Sequence, residues 1–232
     1  MRFPTRSQIL LVAAASSVAA EARIPNQEPL GESKQMNTDG RALVNSPVDV
    51  EMFVMSKCPD ARDCVKDLVL PVMAQVYESG ILTLRPTYIG TPDDSNAGMA
   101  CKHGPDECLG DILELCAYEL YKDDPKRWLG FINCMGQQYQ DIPQDEHVQN
   151  CAMEYGLDFQ ELETCAASED PNRGMELLRA SARRAIQLGI STSCTVTVNG
   201  KKVCVRDSAT WKGCSGKPED LVVEIKRAYE DQ

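Results

Sequence analysis

A buried strand that runs into a helix at a cysteine constrains this sequence more than any other feature. From Val48 to Val54 every second residue is apolar, which is typical of a strand with a covered face. The pattern changes at Cys58, since Pro59 suits the first position of a helix and Asp60 suits the positive end of its dipole. Backbone N–H groups at the start of a helix stabilise a thiolate. The junction therefore predicts a site of thiol chemistry at Cys58.

The N-terminal residues resemble a secretory signal. Arg2 and Arg6 precede an apolar run from Ile9 to Ala20, and small residues follow up to Ala22. The run of twelve residues is shorter than the ~20 that a transmembrane helix needs, which disfavours the alternative of a membrane anchor. Residues 1–22 are interpreted as a signal peptide and 23–46, polar and without periodicity, as a disordered linker. We expect no stable membrane insertion.

The net charge excludes one class of partner. The chain of 232 residues carries a formal charge of −11 at pH 7. Binding to phosphate backbones needs clustered lysine and arginine, so a nucleic-acid partner is not expected.

The cysteine content predicts an oxidising compartment. All eleven cysteines lie beyond the predicted signal peptide, and in a secreted chain most of them should form disulfides. Because eleven is odd, at least one thiol is left free, reacts, or pairs with another molecule.

The order of predicted elements defines the fold class. After the Cys58 helix, which should close near Gly80 and kink or end early at Pro71, the sequence predicts a second strand, a cysteine-rich helical insertion, a helix, a hairpin and a final helix. Their ranges are Ile81–Ile89, about 91–168, Gly174–Leu188, the turn Asn199–Gly200 and a start at Pro218. Residues 47–232 are therefore predicted to form one α/β domain with a thioredoxin-like fold and a disulfide-stapled helical insertion after the second strand.

One segment carries a family resemblance. Residues 101–116 read Cys-Lys-His-Gly-Pro-Asp-Glu-Cys-Leu-Gly-Asp-Ile-Leu-Glu-Leu-Cys. They resemble the pattern C-Q-H-G-x-x-E-C-x-x-N-x-x-x-x-C of the gamma-interferon-inducible lysosomal thiol reductase (GILT) family, with Lys102 and Asp111 as the departures. The resemblance covers roughly residues 47–230. It implies a thioredoxin-fold reductase of protein disulfides, secreted or in a lysosome-like compartment.

The active-site motif departs from that family in two places. Members carry Cys-x-x-Cys at the strand-to-helix junction, whereas Ala61 here occupies the place of the second cysteine. The proline that they carry against the active site aligns with Cys194. Cys64 lies six residues after Cys58, about 9 Å along a regular helix, and a disulfide needs Cα atoms within roughly 7 Å. Cys58 and Cys194 are therefore predicted to form the exchangeable pair, with Cys64 as a shuttle.

The remaining residues with reactive side chains receive structural interpretations. No cofactor is expected, because an external thiol would supply the electrons. A zinc site at His103 with neighbouring cysteines is less favoured than disulfides, and His147 is interpreted as a solvated residue. Cys204 and Cys214 are predicted to pair locally. The full set of structural disulfide candidates is Cys101, Cys108, Cys116, Cys134, Cys151, Cys165, Cys204 and Cys214.

Two functions are compatible with this sequence. The first is a secretory-pathway thiol–disulfide oxidoreductase, secreted or in a lysosome-like vacuole, that reduces protein disulfides through a Cys58 thiolate and a mixed disulfide. Its partners would be disulfide-containing proteins and a small-molecule or protein thiol. The second is a non-catalytic, secreted, cysteine-rich binding protein that retains the scaffold, and Ala61 favours this alternative.

Overall fold

The computed structural model describes residues 45–93, 95, 98–167 and 173–232. The predicted signal peptide and nearly all of the predicted linker lie outside these residues. In chain order the strands and helices are β1 (Val48–Val54), α1 (Pro59–Cys64), α2 (Leu70–Val76), β2 (Leu82–Tyr88), β3 (Thr91–Asp93), β4 (Gly98–Ala100), α3 (Pro105–Tyr121), α4 (Pro125–Gln137), α5 (Asp145–Glu154), α6 (Phe159–Ala167), α7 (Arg173–Gln187), β5 (Thr195–Val198), β6 (Lys201–Asp207), β7 (Thr210–Lys212) and α8 (Pro218–Glu230).

A five-stranded mixed sheet organises these elements. Its strand order is β2-β1-β5-β6-β7, and β1 pairs with β2 in parallel and with β5 in antiparallel orientation. The parallel pair is joined through α1 and α2, as the β-α-β prediction requires. The order β-α-β, helical region, α, β-β-α confirms the predicted thioredoxin-like fold.

A buried charge cluster ties α7 to the sheet. Glu51 on β1 is fully buried, and its carboxylate accepts hydrogen bonds from Arg85 and Thr87 on β2 and from Arg184 on α7. Glu51 lies on the face of β1 that the sequence pattern predicts to be polar. Helix α7 covers this face, so the carboxylate does not contact water. Its charge is satisfied by two arginines, as burial of a carboxylate requires.

The helix after Cys58 does not end early at Pro71, so that alternative of the prediction is wrong. A π-helical turn, Val65–Val69, joins α1 to α2, and Pro71 lies in the first turn of α2. Because Pro71 has no N–H, it cannot donate a hydrogen bond to the carbonyl oxygen four residues before it. That carbonyl lies within the π-helical turn, which is wider than a turn of α-helix. The helix finishes in a short 3₁₀ turn at Gly80, whose φ of 67° is the left-handed value expected there.

The helical insertion is held together by disulfides, as predicted. After the small β3–β4 hairpin, four helices, α3 to α6, follow one another. Three disulfides lie within this region, and they join Cys101 to Cys108, Cys116 to Cys165 and Cys134 to Cys151. These cross-links supplement an apolar core that the helices form together and that includes Trp128, Phe131 and Leu162.

The C-terminal part also follows the prediction. β5 and β6 form a hairpin whose turn residues, Asn199 and Gly200, both have positive φ. Cys204 on β6 is bonded to Cys214, which confirms the predicted local pair. The third strand of this meander, β7, was not predicted, because three residues are too few to show an alternating pattern.

Candidate active site

Cys58 is the free thiol of the protein. All eleven cysteines lie within the described residues, and Cys58 alone among them carries no disulfide. It is the N-cap of α1 with extended backbone, and Pro59 follows it at the start of the helix. The residue is 9% exposed, and its Sγ lies 3.8 Å from the carbonyl oxygen of Ser193. The thiol therefore lies at the predicted strand-to-helix junction, against the segment that leads into β5.

The residues before Cys58 are anchored to separate parts of the chain. The Met55 N–H donates to the Ser193 hydroxyl oxygen at 3.0 Å. The Lys57 ammonium donates to the carbonyl oxygen of Gln140 at 2.9 Å and to that of Ile142. These contacts hold the connection to α1 from two sides, so the position of Cys58 is set by the fold and not by a free loop.

Helix α3 supports the same connection through Ser56. The Ser56 N–H donates to Oδ1 of Asp111 at 2.8 Å, and the Ser56 hydroxyl donates to the carbonyl oxygen of Glu107 at 3.1 Å. This close approach needs a glycine, because a Cβ on Gly110 would lie 2.6 Å from the Ser56 Oγ. The segment that resembles the GILT pattern is thus in direct contact with the site.

The structure corrects the predicted pairing of Cys58 with Cys194. Cys194 is bonded to Cys64, with 6.3 Å between their Cα atoms, and both residues are fully buried. The Ser193–Cys194 peptide bond is cis, at the place where the family has its proline. Cys58 contacts the residue before Cys194, since its Sγ lies near the carbonyl oxygen of Ser193. The disulfide in the structure joins Cys194 to Cys64, at the end of α1, and exchange between Cys58 and Cys194 stays a prediction.

The acidic residues of α1 form ion pairs with two arginines, Arg62 and Arg206. Arg206 donates to Oδ2 of Asp63 at 2.8 Å and lies 3.6 Å from Oδ1 of Asp60. The hydrogen bond from Arg62 holds the pKa of Asp63 below its ordinary value, and Arg206 adds to that effect. Two negative charges beside Cys58 would oppose a thiolate, and these ion pairs reduce that opposition.

Arg206 also belongs to the strand that faces Cys194. The backbone N–H and carbonyl groups of Arg206 and Cys194 bond each other at 3.1 and 2.8 Å. The guanidinium carbon lies 5.1 Å from the centre of the Trp211 ring, which covers it. Beyond Arg206, the Asp60 carboxylate accepts the N–H groups of Ser208 and Ala209 at 2.8 and 2.9 Å. The β6–β7 turn is thereby fixed to the start of α1.

Three buried acids on α3 were not identified from the sequence. Glu107, Asp111 and Glu114 are at most 2% exposed. Burial raises the pKa of Asp111 well above its ordinary value and that of Glu114 to about 8, and the Glu107 charge acts in the same direction on both. The Tyr88 hydroxyl bonds Glu114 and partly offsets the effect on its pKa. The signal that could have revealed them is their spacing, which places all three on one helix face.

The two histidines have structural contacts. His103 bonds the Glu107 carboxylate through Nδ1, and Nε2 of His147 lies 3.0 Å from the carbonyl oxygen of Met135. His147 is half-buried, so its interpretation as a solvated residue is wrong. The cysteines considered as zinc ligands with His103, namely Cys101, Cys108 and Cys116, are all in disulfides and offer no thiolate.

Comparison with solved structures assigns the fold. Oxidised BdbD from Bacillus subtilis matches with a TM-score of 0.53 and 16% identity, over 80% of this chain and 89% of that one. The disulfide bond oxidoreductase DsbG from Mycobacterium tuberculosis, in its reduced form, matches with a TM-score of 0.51 and 16% identity, over 84% of each chain. At such identities the likeness concerns the fold alone. Across the described residues no helix is long and apolar enough to cross a membrane.

Comparison with known sequences finds similarity to the GILT family. GILT-like protein 1 of Drosophila melanogaster is 25% identical over 155 residues, which are 61% of this chain and 60% of that protein. The gamma-interferon-inducible lysosomal thiol reductase of Carassius auratus is 31% identical over 75 residues, which are 31% of this chain and 29% of that protein. The chain thus matches less than two thirds of the length of either relative. Residues 49–155, from β1 to the end of α5, match the model of gamma interferon inducible lysosomal thiol reductase (GILT), and this range includes Cys58 and helix α3.

Proposed function

We propose that this protein is a thiol–disulfide oxidoreductase that reduces disulfides of other proteins. The observation that carries the proposal is the free thiol of Cys58, placed at the start of a helix in a thioredoxin-like fold. In the reaction, the Cys58 thiolate attacks one sulfur of a substrate disulfide. A bond forms between Cys58 and that sulfur, the substrate disulfide breaks, and the other sulfur leaves as a thiolate that takes up a proton.

The surroundings of Cys58 support this chemistry. The backbone N–H groups of the first helical turn favour a thiolate, and Arg62 and Arg206 together compensate the charges of Asp60 and Asp63. The family model that the chain matches and the thiol reductase named among its relatives point to the same reaction. Disulfide-containing proteins are the proposed substrates, and a small-molecule or protein thiol is the proposed reductant.

A second candidate function is a secreted binding protein without catalysis. Ala61 favours it, since this residue lies where members of the family have their second active-site cysteine. Ala61 is buried, with 5% exposure, and carries no group that could resolve a mixed disulfide. This candidate predicts that Cys58 forms no adduct with substrates, so one experiment separates the two functions.

The test is to trap the mixed disulfide. The protein with its disulfides intact, in which Cys58 is free and Cys194 is bonded to Cys64, is mixed with a peptide that contains one disulfide, quenched with acid and mapped by mass spectrometry without reduction. We expect peptide adducts on Cys58 and none on Cys134 or Cys151, which remain bonded to each other. Adducts that are absent from Cys58, or spread evenly over the cysteines, would favour the binding protein.

The proposed location is the secretory pathway, with the protein secreted or held in a lysosome-like vacuole. The layout of residues 1–22 and the five disulfides support it, because disulfides persist in oxidising compartments. N-terminal sequencing of the protein expressed in eukaryotic cells should give a first residue of Glu21 or Arg23. A chain that keeps Met1 would contradict the signal peptide.

A further inference from the structure

We infer that Cys58, Cys194 and Cys64 form a three-sulfur relay in which the Cys64–Cys194 disulfide is the oxidised end state of the reaction. The inference rests on the proposed function and explains how a site without a Cys-x-x-Cys motif could release its substrate. Three features carry it: the burial of the disulfide, the position of Cys194 beside Cys58, and the ion pair that runs alongside the bond.

Burial leaves Cys58 as the route to the disulfide. Both Cys64 and Cys194 are fully buried, so no external protein or thiol reaches either sulfur without a movement of the chain. Cys58 is 9% exposed and is the free cysteine of the described chain. Its sulfur lies 3.8 Å from the carbonyl oxygen of Ser193, the residue that precedes Cys194 in the chain. Electrons can therefore enter or leave the buried bond through Cys58.

Cys194 connects to both of the other cysteines, to Cys64 by a disulfide and to Cys58 through its neighbour Ser193. Cys58 and Cys64 are six residues apart on one helix, about 9 Å along its axis, which is too far for a direct bond in a regular helix. Cys194 approaches Cys58 through Ser193 and is bonded to Cys64. Its sulfur is thus the one at which exchange takes place, with Cys58 and Cys64 as alternative partners.

Reduction of a substrate disulfide takes three exchange steps. With all three cysteines reduced, Cys58 attacks the substrate and forms the mixed disulfide. The Cys194 thiolate then attacks the Cys58 sulfur, which forms a Cys58–Cys194 bond and releases the second substrate thiolate. Finally the Cys64 thiolate attacks Cys194, forms the observed Cys64–Cys194 bond and releases the Cys58 thiolate. The substrate has gained two electrons and two protons, and the Cys64–Cys194 pair has lost them.

Regeneration uses the same sulfurs in reverse. Cys58 attacks Cys194 and frees Cys64, and a small thiol then attacks the Cys58 sulfur and frees Cys194. A second small thiol attacks that mixed disulfide, which restores the Cys58 thiol and releases a disulfide of the two small thiols. Two molecules of reductant are oxidised for each protein disulfide that is opened.

The Arg206–Asp63 ion pair keeps Cys64 and Cys194 close together when their disulfide is open. Asp63 precedes Cys64, and Arg206 is the backbone partner of Cys194, so the contact between Arg206 and Asp63 runs alongside the disulfide. The Arg206 side chain is only 12% exposed, and its guanidinium donates to the Asp63 carboxylate at 2.8 Å. Such a charged hydrogen bond holds α1 against β5 and β6 without the covalent link. The sulfurs can then rejoin in the last step.

The experiment follows the opening of each disulfide in the folded protein. Oxidised wild type and Cys58→Ser are treated with dithiothreitol for increasing times without denaturant, quenched with iodoacetamide and mapped by mass spectrometry. We expect the labelling of Cys64 and Cys194 to be slower in Cys58→Ser by roughly tenfold or more, because the attacking thiolate is missing. Labelling of Cys204 and Cys214, which do not depend on Cys58, should be equal in the two proteins.

Equal rates of Cys64 and Cys194 labelling in the two proteins would overturn the relay. Wild type whose Cys58 has been blocked with iodoacetamide before reduction repeats the comparison without a substitution, so a folding defect of the variant cannot decide the result. In Cys64→Ser we further expect a Cys58–Cys194 disulfide, and a free Cys194 there would also contradict the relay. Either failure leaves the proposed function standing if Cys58 still forms adducts with substrate.

Discussion

Replacing Cys58 with serine is expected to abolish the reduction of insulin by this protein. In a turbidity assay with dithiothreitol, the wild type should shorten the time before precipitation of the insulin B chain, and Cys58→Ser should match the reaction without protein. At pH 5 and pH 7 a serine hydroxyl remains protonated and does not attack disulfides, whereas a cysteine thiolate does. The fold should be unchanged, because Cys58 is in no disulfide, its sulfur makes one long hydrogen bond, to the Ser193 carbonyl oxygen, and serine is of similar size.

A matched control removes two other cysteines. The variant Cys134→Ser/Cys151→Ser loses the disulfide between α4 and α5, and it should keep its activity at 25 °C although it unfolds at a lower temperature. Equal activity of wild type and Cys58→Ser at both pH 5 and pH 7 would contradict the proposed function. Equal loss in the control would show that activity depends on the disulfide framework as a whole.

Replacing Glu114 with glutamine is expected to stabilise the protein at pH 8 and not at pH 4. Burial raises the pKa of Glu114 to about 8, whereas an unfolded chain has a value of about 4.3. The folded protein therefore keeps a proton that the unfolded chain loses as the pH rises from about 4 to about 8. Below about pH 4 both states keep the Glu114 proton, and the free energy of unfolding does not depend on it. Between about pH 4 and pH 8 the free energy of unfolding falls by up to about 1.4 kcal/mol per pH unit.

Glutamine should remove this loss because it stays neutral at every pH and still accepts the hydrogen bond of Tyr88. At pH 8 the gain in the free energy of unfolding should be of the order of several kcal/mol, less the cost of burying an amide N–H₂ group. Urea unfolding at pH 4, 6 and 8 measures it, and Glu146→Gln, an exposed acid on α5, serves as the control. Curves for Glu114→Gln and wild type that run parallel across the pH range would refute the assignment.

The same argument explains one departure from the family pattern. Asp111 occupies the position where the pattern has asparagine, and burial raises its pKa well above the ordinary value, while the hydrogen bond from Ser56 N–H acts in the opposite direction. A protonated carboxyl group is neutral and presents a carbonyl oxygen to Ser56, as an amide would. Asp111 is therefore a conservative replacement below its raised pKa, and the contact with the Cys58 segment is retained.

Much of the fold could be predicted because its signals are local. The alternation of Val48 to Val54, the proline after Cys58, the turn Asn199–Gly200 and the acidic start of α8 each specify an element within a few residues. The disulfide-stapled insertion followed from cysteines among short helical patterns. The β3–β4 hairpin and β7 were missed because strands of three residues leave no periodic pattern.

The site was predictable only in part, since its decisive contacts connect distant residues. The local pattern located Cys58, and the family resemblance matched Cys194 to the position of the proline that faces the active site. The choice between Cys58 and Cys64 as the partner of Cys194 depends on how α1 lies against β5, which no spacing in the sequence reports. The same limit applies to Arg206, whose pairing with Asp60 and Asp63 spans more than 140 residues.

The Cys64–Cys194 bond has a consequence for the lifetime of the protein. It joins residues 130 apart, the largest separation among the five disulfides. Closing a loop of that length restricts the unfolded chain by about 4–5 kcal/mol in the chain-entropy model, and by less where shorter disulfides already restrict the loop. If this bond opens in every turnover, the reduced protein ready to act is the form more easily unfolded and degraded. A compartment rich in thiols would then both drive the reaction and shorten the survival of the protein that performs it.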